Sequence, residues 1–345
     1  MPQPWTEILG RSAGLRQKLR LPVLIAVIGL VIGYPAYNFL SRSDMITGEV
    51  VILGNREFRF VGSLYGPGDR PFSRPLAVAA ANGLIYVADS GNGRIVIYSS
   101  SGRFIRSFGD TGNSSSKLVY PTDIVVDGQG NILVADRQAG RVMVYDPQGN
   151  VLKSLPEGED RLDLEGFSPL SLAVNGDDGI TVFDVEHQRL VLFDSRGRFL
   201  RAFDRDSAGN KMNLSFVNGI AAPVQPGASQ NKIYIANSNE GKILETDIGG
   251  KSFEILPRLP HPKGFIPRGL ALGPDNRNLF IVDTLQHLIF RYDVQVKKIN
   301  GTIGIAGNQA QSFSYPNDIF IDRGGTMYVA DRGNNRIVII EYQKK

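Results

Sequence analysis

Cysteine is missing from all 345 residues. Disulfides, zinc–thiolate sites, iron–sulfur clusters, covalently attached haem and thiol nucleophiles are therefore excluded. The absence does not fix the compartment, since many exported proteins do without disulfides. Tryptophan occurs once, as Trp5, and histidine three times, as His187, His261 and His287. No phosphate-binding P-loop, G-x-S-x-G elbow or zinc-binding helix signature occurs. Beyond residue 40 no stretch of ten or more residues carries a helical period.

One long apolar run exists, LPVLIAVIGLVIGYPAYNFL from Leu21 to Leu40, and it contains no charge. As a helix it would rise roughly 30 Å, about one bilayer core. Arg11, Arg16, Lys18 and Arg20 precede it against Glu7 alone, while Arg42 and Asp44 cancel on the far side. This asymmetry predicts a cytoplasmic N-terminus and an extracytoplasmic remainder. The competing reading is a cleaved signal peptide. The run is longer than a usual signal core, however, and Tyr34 stands where cleavage near Ala36 would want a small residue. The expectation is a single-pass signal-anchor: a basic tail over 1–20, a transmembrane helix over 21–40 and a linker over 41–56. Of the formal net charge of +4, the tail holds +3 and residues 45–345 only +1. The basic pI of 9.2 thus reflects the tail and does not point to nucleic acid.

Past the linker a phrase recurs six times: YVADSGNGRIVIY from Tyr86, LVADRQAGRVMVY from Leu133, TVFDVEHQRLVLF from Thr181, YIANSNEGKILET from Tyr234, FIVDTLQHLIFRY from Phe280 and YVADRGNNRIVII from Tyr328. The fourth residues, Asp89, Asp136, Asp184, Asn237, Asp283 and Asp331, are spaced by 47, 48, 53, 46 and 48 positions. A period of this size marks a solenoid, a propeller or an array. Each unit holds four short β-like runs divided by turns rich in Gly, Asn and Asp, the pattern of a propeller blade. The inner runs begin near Ala77, Asp123, Ser171, Gly219, Gly269 and Asp318. A proline lies just upstream in five of them, where it displaces no ladder hydrogen bond. The last unit has three strands, and a spare run, Phe58 to Gly62, precedes the first. The expectation is an all-β, six-bladed propeller over 57–345, in which residues 58–62 complete the sixth blade and close the ring.

The phrase V-A-D-x-x-N-x-R-I-x-V, preceded by P-x-D-I-x-V-D and followed by G-x-x-x-x-x-F-G, resembles the NHL repeat over nearly the whole region. Tyr86 to Gly109, Pro121 to Leu155 and Pro316 to Ile340 match closely. The resemblance implies a rigid binding scaffold, as in exported NHL sensor domains. The channel histidines of NHL-like lyases have no counterpart here, since the three histidines sit at unequal positions in their units. Calcium-dependent lactonase propellers use a carboxylate–amide cluster, which Asp123, Asn218 and Asp318 could only poorly supply. Some NHL propellers bind RNA on a basic face, which the near-neutral exported region does not offer.

Two residue sets stand out. Asp89/Arg94, Asp136/Arg141, Asp184/Arg189, Asn237/Lys242 and Asp331/Arg336 repeat in nearly every blade, as a structural turn brace would. Arg74, Tyr120, Asp123, Asn218, Arg268, Tyr315, Asn317 and Asp318 differ between blades and fall where loops lead to the inner strands. They are candidates for a binding site at the channel mouth. Asn175-Gly176-Asp177-Asp178-Gly179 reads as a hairpin turn, because it lacks the spacing of a calcium loop. No catalytic residue, metal or cofactor is expected. The predicted role is a membrane-tethered binding module for a protein, peptide or cell-envelope polymer. The alternative is a metal-dependent hydrolase or lyase of a small molecule, working in the channel mouth.

Overall fold

Strands enclosed by neighbours on both faces read as continuous apolar runs, whereas strands at a wet edge alternate. Each repeat shows this gradient. In the first, Leu84–Asp89 and Arg94–Ser99 are almost wholly buried, while Phe104–Phe108 is half exposed. The computed structural model describes residues 58–342, apart from 113–115, 159–162, 224–231, 261–263 and 311. The predicted tail, transmembrane span and linker lie outside the described residues. Among those described, no helix is long and apolar enough to cross a membrane.

The strands form six four-stranded antiparallel sheets. Blade one runs Pro75–Ala81, Leu84–Asp89, Arg94–Ser99 and Phe104–Phe108; blade two, Pro121–Val126, Ile132–Asp136, Arg141–Tyr145 and Val151–Leu155. Blade three runs Pro169–Val174, Ile180–Asp184, Arg189–Phe193 and Phe199–Phe203; blade four, Val217–Ala221, Lys232–Asn237, Lys242–Asp247 and Phe253–Ile255. Blade five runs Pro267–Leu272, Asn278–Asp283, Leu288–Asp293 and Lys298–Ile303. Blade six takes Pro316–Ile321, Thr326–Asp331 and Arg336–Tyr342 from the end of the chain and its outer strand, Phe58–Leu64, from the beginning. That outer strand pairs from Phe58↔Tyr342 to Leu64↔Ile337 and is two residues longer than the predicted run.

Each inner strand packs against the inner strand of the next blade, and the sixth against the first, so the sheets close a ring. Six apolar clusters fill the six gaps between neighbouring blades. One joins Val78, Val87 and Val96 of blade one to Tyr328, Ile337 and Leu64 of blade six. Another sets Phe58 against Phe280 of blade five, edge to face, with Tyr342 stacked upon it at 5.0 Å. The closing strand therefore contributes core as well as hydrogen bonds.

The five prolines are the first residues of their strands, not residues ahead of them. Strand entry costs proline no ladder bond at that position. At the opposite end of each blade the tight turns are held by side chains. Asn175 Oδ1 accepts from the N–H of Asp177 (3.0 Å) and Gly179 (2.8 Å), forming the expected hairpin turn. Tyr342 N–H donates to Gly325 O in one of these turns, so the chain enters and leaves on this face.

Deleting residues 45–63 should remove the outer edge of blade six and uncover Tyr342 and Phe280. The expected result is aggregation or loss of a cooperative melt; an unchanged melting curve would refute the closure.

Candidate functional site

All six inner strands break register at the same place. The ladder skips Leu76, Thr122, Leu170, Asn218 and Asn317, and in blade five it skips both Arg268 and Gly269. A bulge of this kind re-aims the extra side chain and often borders a functional site. Here it is repeated around one axis, near the end where the loops enter the inner strands. Three tiers result. The rim holds the residues just before the strands: Arg74, Tyr120, Ser168, Phe216, Ile266 and Tyr315. Below it lie the bulged residues, and below those Ala77, Asp123, Ser171, Gly219, Gly269 and Asp318.

At the rim, Arg74, Phe216 and Tyr315 adopt positive φ of 49°, 52° and 48°. Bulky side chains rarely accept that conformation, and it concentrates at functional positions. Phe216 is 43% exposed and Tyr315 49%. Arg137 lies over the Phe216 ring at 5.9 Å, and Arg332 over the Tyr315 ring at 5.9 Å. His287 packs edge-on to Tyr315 at 4.6 Å, and its Nδ1 accepts the Tyr315 N–H (2.8 Å). The Arg74 N–H donates to Asn335 Oδ1 (2.7 Å). Phe216, Arg137 and Arg332 escaped the sequence reading, which names His287 only among the histidines that form no channel pattern. Blade four lacks the proline that marks the rim elsewhere, which hid Phe216.

In the middle tier the polar groups gather on blades four to six. Arg268 Nη1 donates to Asn218 Oδ1 (3.2 Å) and Asn317 Oδ1 (2.9 Å). Asn317 Nδ2 in turn reaches Leu76 O (2.7 Å) on blade one, and Asn218 Nδ2 reaches Ser238 Oγ (2.8 Å). Burial, and secondarily the Arg332 charge, lower the Arg268 pKa to about 10, with Tyr120 acting in the opposite direction.

The lowest tier is shaped by crowding. A Cβ on Gly219 would sit 2.3 Å from Arg268 O, and one on Gly269 2.4 Å from Asp318 Cα. Asp123 Oδ2 accepts Leu172 N–H (2.8 Å) from blade three, and Asp318 Oδ2 accepts Val78 N–H (3.0 Å) from blade one. Both carboxyls are half-buried. Desolvation holds Asp318 up at about 7; desolvation and then the Asp318 charge raise Asp123 well above the usual carboxylate range. The pair thus tends to retain a proton near neutrality. Asn218 does not join it, because its oxygen is taken by Arg268 one tier above. The carboxylate–amide trio considered from sequence is therefore split between tiers. Among the described residues no group of three or more His, Cys, Asp or Glu could hold a metal ion.

The repeated residues lie beside the mouth, each the last residue of its blade's second strand. Asp89 Oδ1 accepts Ser73 N–H (2.7 Å) and Oδ2 the Arg94 Nε (2.7 Å), both side chains being buried. Arg94 continues to Arg70 O (2.6 Å), so the pair ties the hairpin to the incoming loop. Asp331/Arg336 repeat this at 2.8 Å, Asp184/Arg189 at 3.0 Å and Asp136/Arg141 at 3.7 Å. His187 also reaches Asp184 (2.8 Å). In blade four Asn237 alone fills both roles, accepting Ser215 N–H (2.8 Å) and donating to Asn213 O (2.9 Å), while Lys242 turns to Glu240. Blade five has Leu288 in place of the arginine, and Asp283 Oδ2 is buried without a partner. Burial raises the Asp283 pKa.

A family model described as a 6-bladed beta-propeller matches residues 63–166. No curated protein sequence matches the chain. Among solved structures, virginiamycin B lyase from Staphylococcus aureus aligns with a TM-score of 0.57 at 14% identity, covering 83% of this chain and 99% of that one. Hydrazine synthase from Kuenenia stuttgartiensis gives 0.54 at 10% identity, over 78% of this chain and 96% of the other. The WD40 beta propeller domain of Doa1 gives 0.56 at 10%, over 88% and 93%. Named lyase, synthase and WD40 domain alike, these relatives share only the architecture with this chain, which is an all-β six-bladed propeller.

Two measurements follow. Asp331→Ala strands the buried Arg336 and should cost about 3–5 kcal/mol in urea unfolding. Asp283→Asn keeps an oxygen for the loop N–H groups and removes a buried charge that has no arginine partner, so it should stay within about 1 kcal/mol of the parent; equal losses would refute the brace. For the Asp123–Asp318 pair the folded pKa lies above the unfolded one, so the unfolded chain releases its protons first. Stability from this pair is full below pH 3.8 and declines as pH rises through about 7. Asp318→Asn should flatten that decline between pH 4 and 7, measured by urea unfolding; a parallel curve would show that the pair is not responsible.

Proposed function

We propose that the protein is a membrane-tethered, extracytoplasmic binding module whose mouth-side face receives a protein, a peptide or a cell-envelope polymer. The observation that carries this is the strained rim: Phe216 and Tyr315 hold large exposed rings at positive φ, each with an arginine over it. Exposed aromatic and arginine side chains are the groups that dominate binding energy at interfaces. Backbone strain at such residues is retained where the presented side chain matters. The chain enters and leaves on the opposite face, so a tether on that side would turn the mouth outward. The charge asymmetry around Leu21 to Leu40 supports the extracytoplasmic placement, and the motif likeness to NHL propellers agrees with a scaffold role.

A second reading, a hydrolase or lyase acting on a small molecule in the channel, draws on the Asp123–Asp318 pair. Two carboxyls with raised pKa could exchange a proton with a substrate or hold a divalent cation.

The test is cross-linking in native membranes followed by pull-down of the tagged full-length chain. One recurrent partner should be captured by the parent and by Gln148→Ala on the opposite face, and lost with Phe216→Ala/Tyr315→Ala. Capture indifferent to the rim variant overturns the mouth-face reading. If nothing is enriched and calcium raises the melting temperature in an Asp318-dependent way, the second reading replaces the first.

A further inference from the structure

The bulge position in the middle tier does not need a polar residue. Leu76 occupies it in blade one and Leu170 in blade three, both buried, Leu170 within an apolar cluster. Thr122 fills it in blade two, satisfied by Ala135 O (3.3 Å). The ring therefore closes without a charge at this level. Blade five nevertheless places Arg268 there.

The guanidinium is poorly compensated. Its two hydrogen bonds go from one nitrogen to neutral amide oxygens, Asn218 Oδ1 and Asn317 Oδ1. Nε is buried without a partner. Among the described residues no carboxylate lies within ion-pair distance of Arg268, and the charge that acts on it most is a second cation, Arg332. Arg332 likewise has no ion pair among the described residues, although it packs over Tyr315. Half-burying one cation and turning another toward it is unfavourable unless an anion shares the site. The amides hold the guanidinium in place without neutralising it, which is how a receptor for an oxyanion is preorganised.

We propose that Arg268, held by Asn218 and Asn317 and assisted by Arg332, is the anchor for an oxyanion group, a carboxylate or a phosphate, on the ligand that enters the channel mouth. This deepens the mouth-face reading by giving the ligand a charge. A guanidinium presents several N–H groups in a fixed plane that matches either oxyanion. The exposed rings of Tyr315 and Phe216 would flank the remainder of such a ligand.

The test uses the full-length chain at constant ionic strength, titrated in parallel with citrate, inorganic phosphate and chloride and followed by melting temperature and calorimetry. A saturable rise with citrate or phosphate, absent with chloride, is expected; which of the two acts identifies the carboxylate or phosphate source. Arg268→Gln should weaken binding at least about tenfold, as loss of a charge-assisted contact does. Arg268→Lys, which keeps the charge, should recover part of it. Circular dichroism and an unfolding curve in chloride check that the variants are folded; if Arg268→Gln does not fold, Arg332→Gln carries the test and should weaken binding. No saturable response in the parent, or the same response in every variant, overturns the proposal. Because these probes are small ions, that outcome leaves the partner capture standing. Conversely, failed capture with an intact anion response would discard the docking face and keep the anion site.

Discussion

Six strands cannot share one axis without their backbones colliding, and the centre of this propeller is organised around that crowding. Where blades four, five and six meet, the chain resolves it by having no side chain at all: a Cβ at Gly219 or Gly269 would strike the backbone of the next blade. Elsewhere the same level carries Asp123 and Asp318, whose carboxyls reach over to inner-strand N–H groups of the following blade. The free edge of an inner strand has unpaired backbone donors, and these side chains satisfy two of them, at Leu172 and Val78. Close approach on one side and carboxylate bridging on the other give the channel an uneven lining, although the blades share one topology.

The bulge converts that frame into a site. It turns one residue per blade toward the mouth without altering the four-stranded sheet behind it, so the identity of that residue can vary freely. Leucine there packs, threonine bonds locally, and the Asn218–Arg268–Asn317 run builds a polar arc over three adjacent blades. The paired Asp and Arg residues in the neighbouring hairpins do the opposite work. They repeat because every hairpin must be tied to its incoming loop, and blade four achieves the tie with Asn237 alone. Positions fixed by mechanics recur; positions that vary are free to meet a ligand.

That division also explains what could be read from the chain in advance. The repeat of the Asp89-type residues, the Gly- and Asn-rich turns and the unmatched run at Phe58 are local patterns with a fixed period, and they carry blade number, strand order and closure. Asp123, Asn218, Arg268, Asn317 and Asp318 were recognisable as mouth residues from their place before or within the inner strands. Their sorting was not. A bulge is a difference in register between two strands, which no spacing along one strand records, so Asn218 could not be separated from Asp123 and Asp318 in advance. Positive φ at Phe216 and Tyr315 left no trace either, because both occupy a position where other blades carry ordinary residues.

The closing strand has a mechanical meaning as well. Phe58–Leu64 runs from the face where the chain enters towards the mouth, antiparallel to Arg336–Tyr342, with six registered pairs between them. A pull on the chain ahead of Phe58, opposed by something held at the mouth, acts along that strand. All the cross-strand bonds are then loaded together in shear, instead of being opened one after another from an end. The ring is thus clasped most firmly in the direction in which a tether and a captured ligand would stretch it.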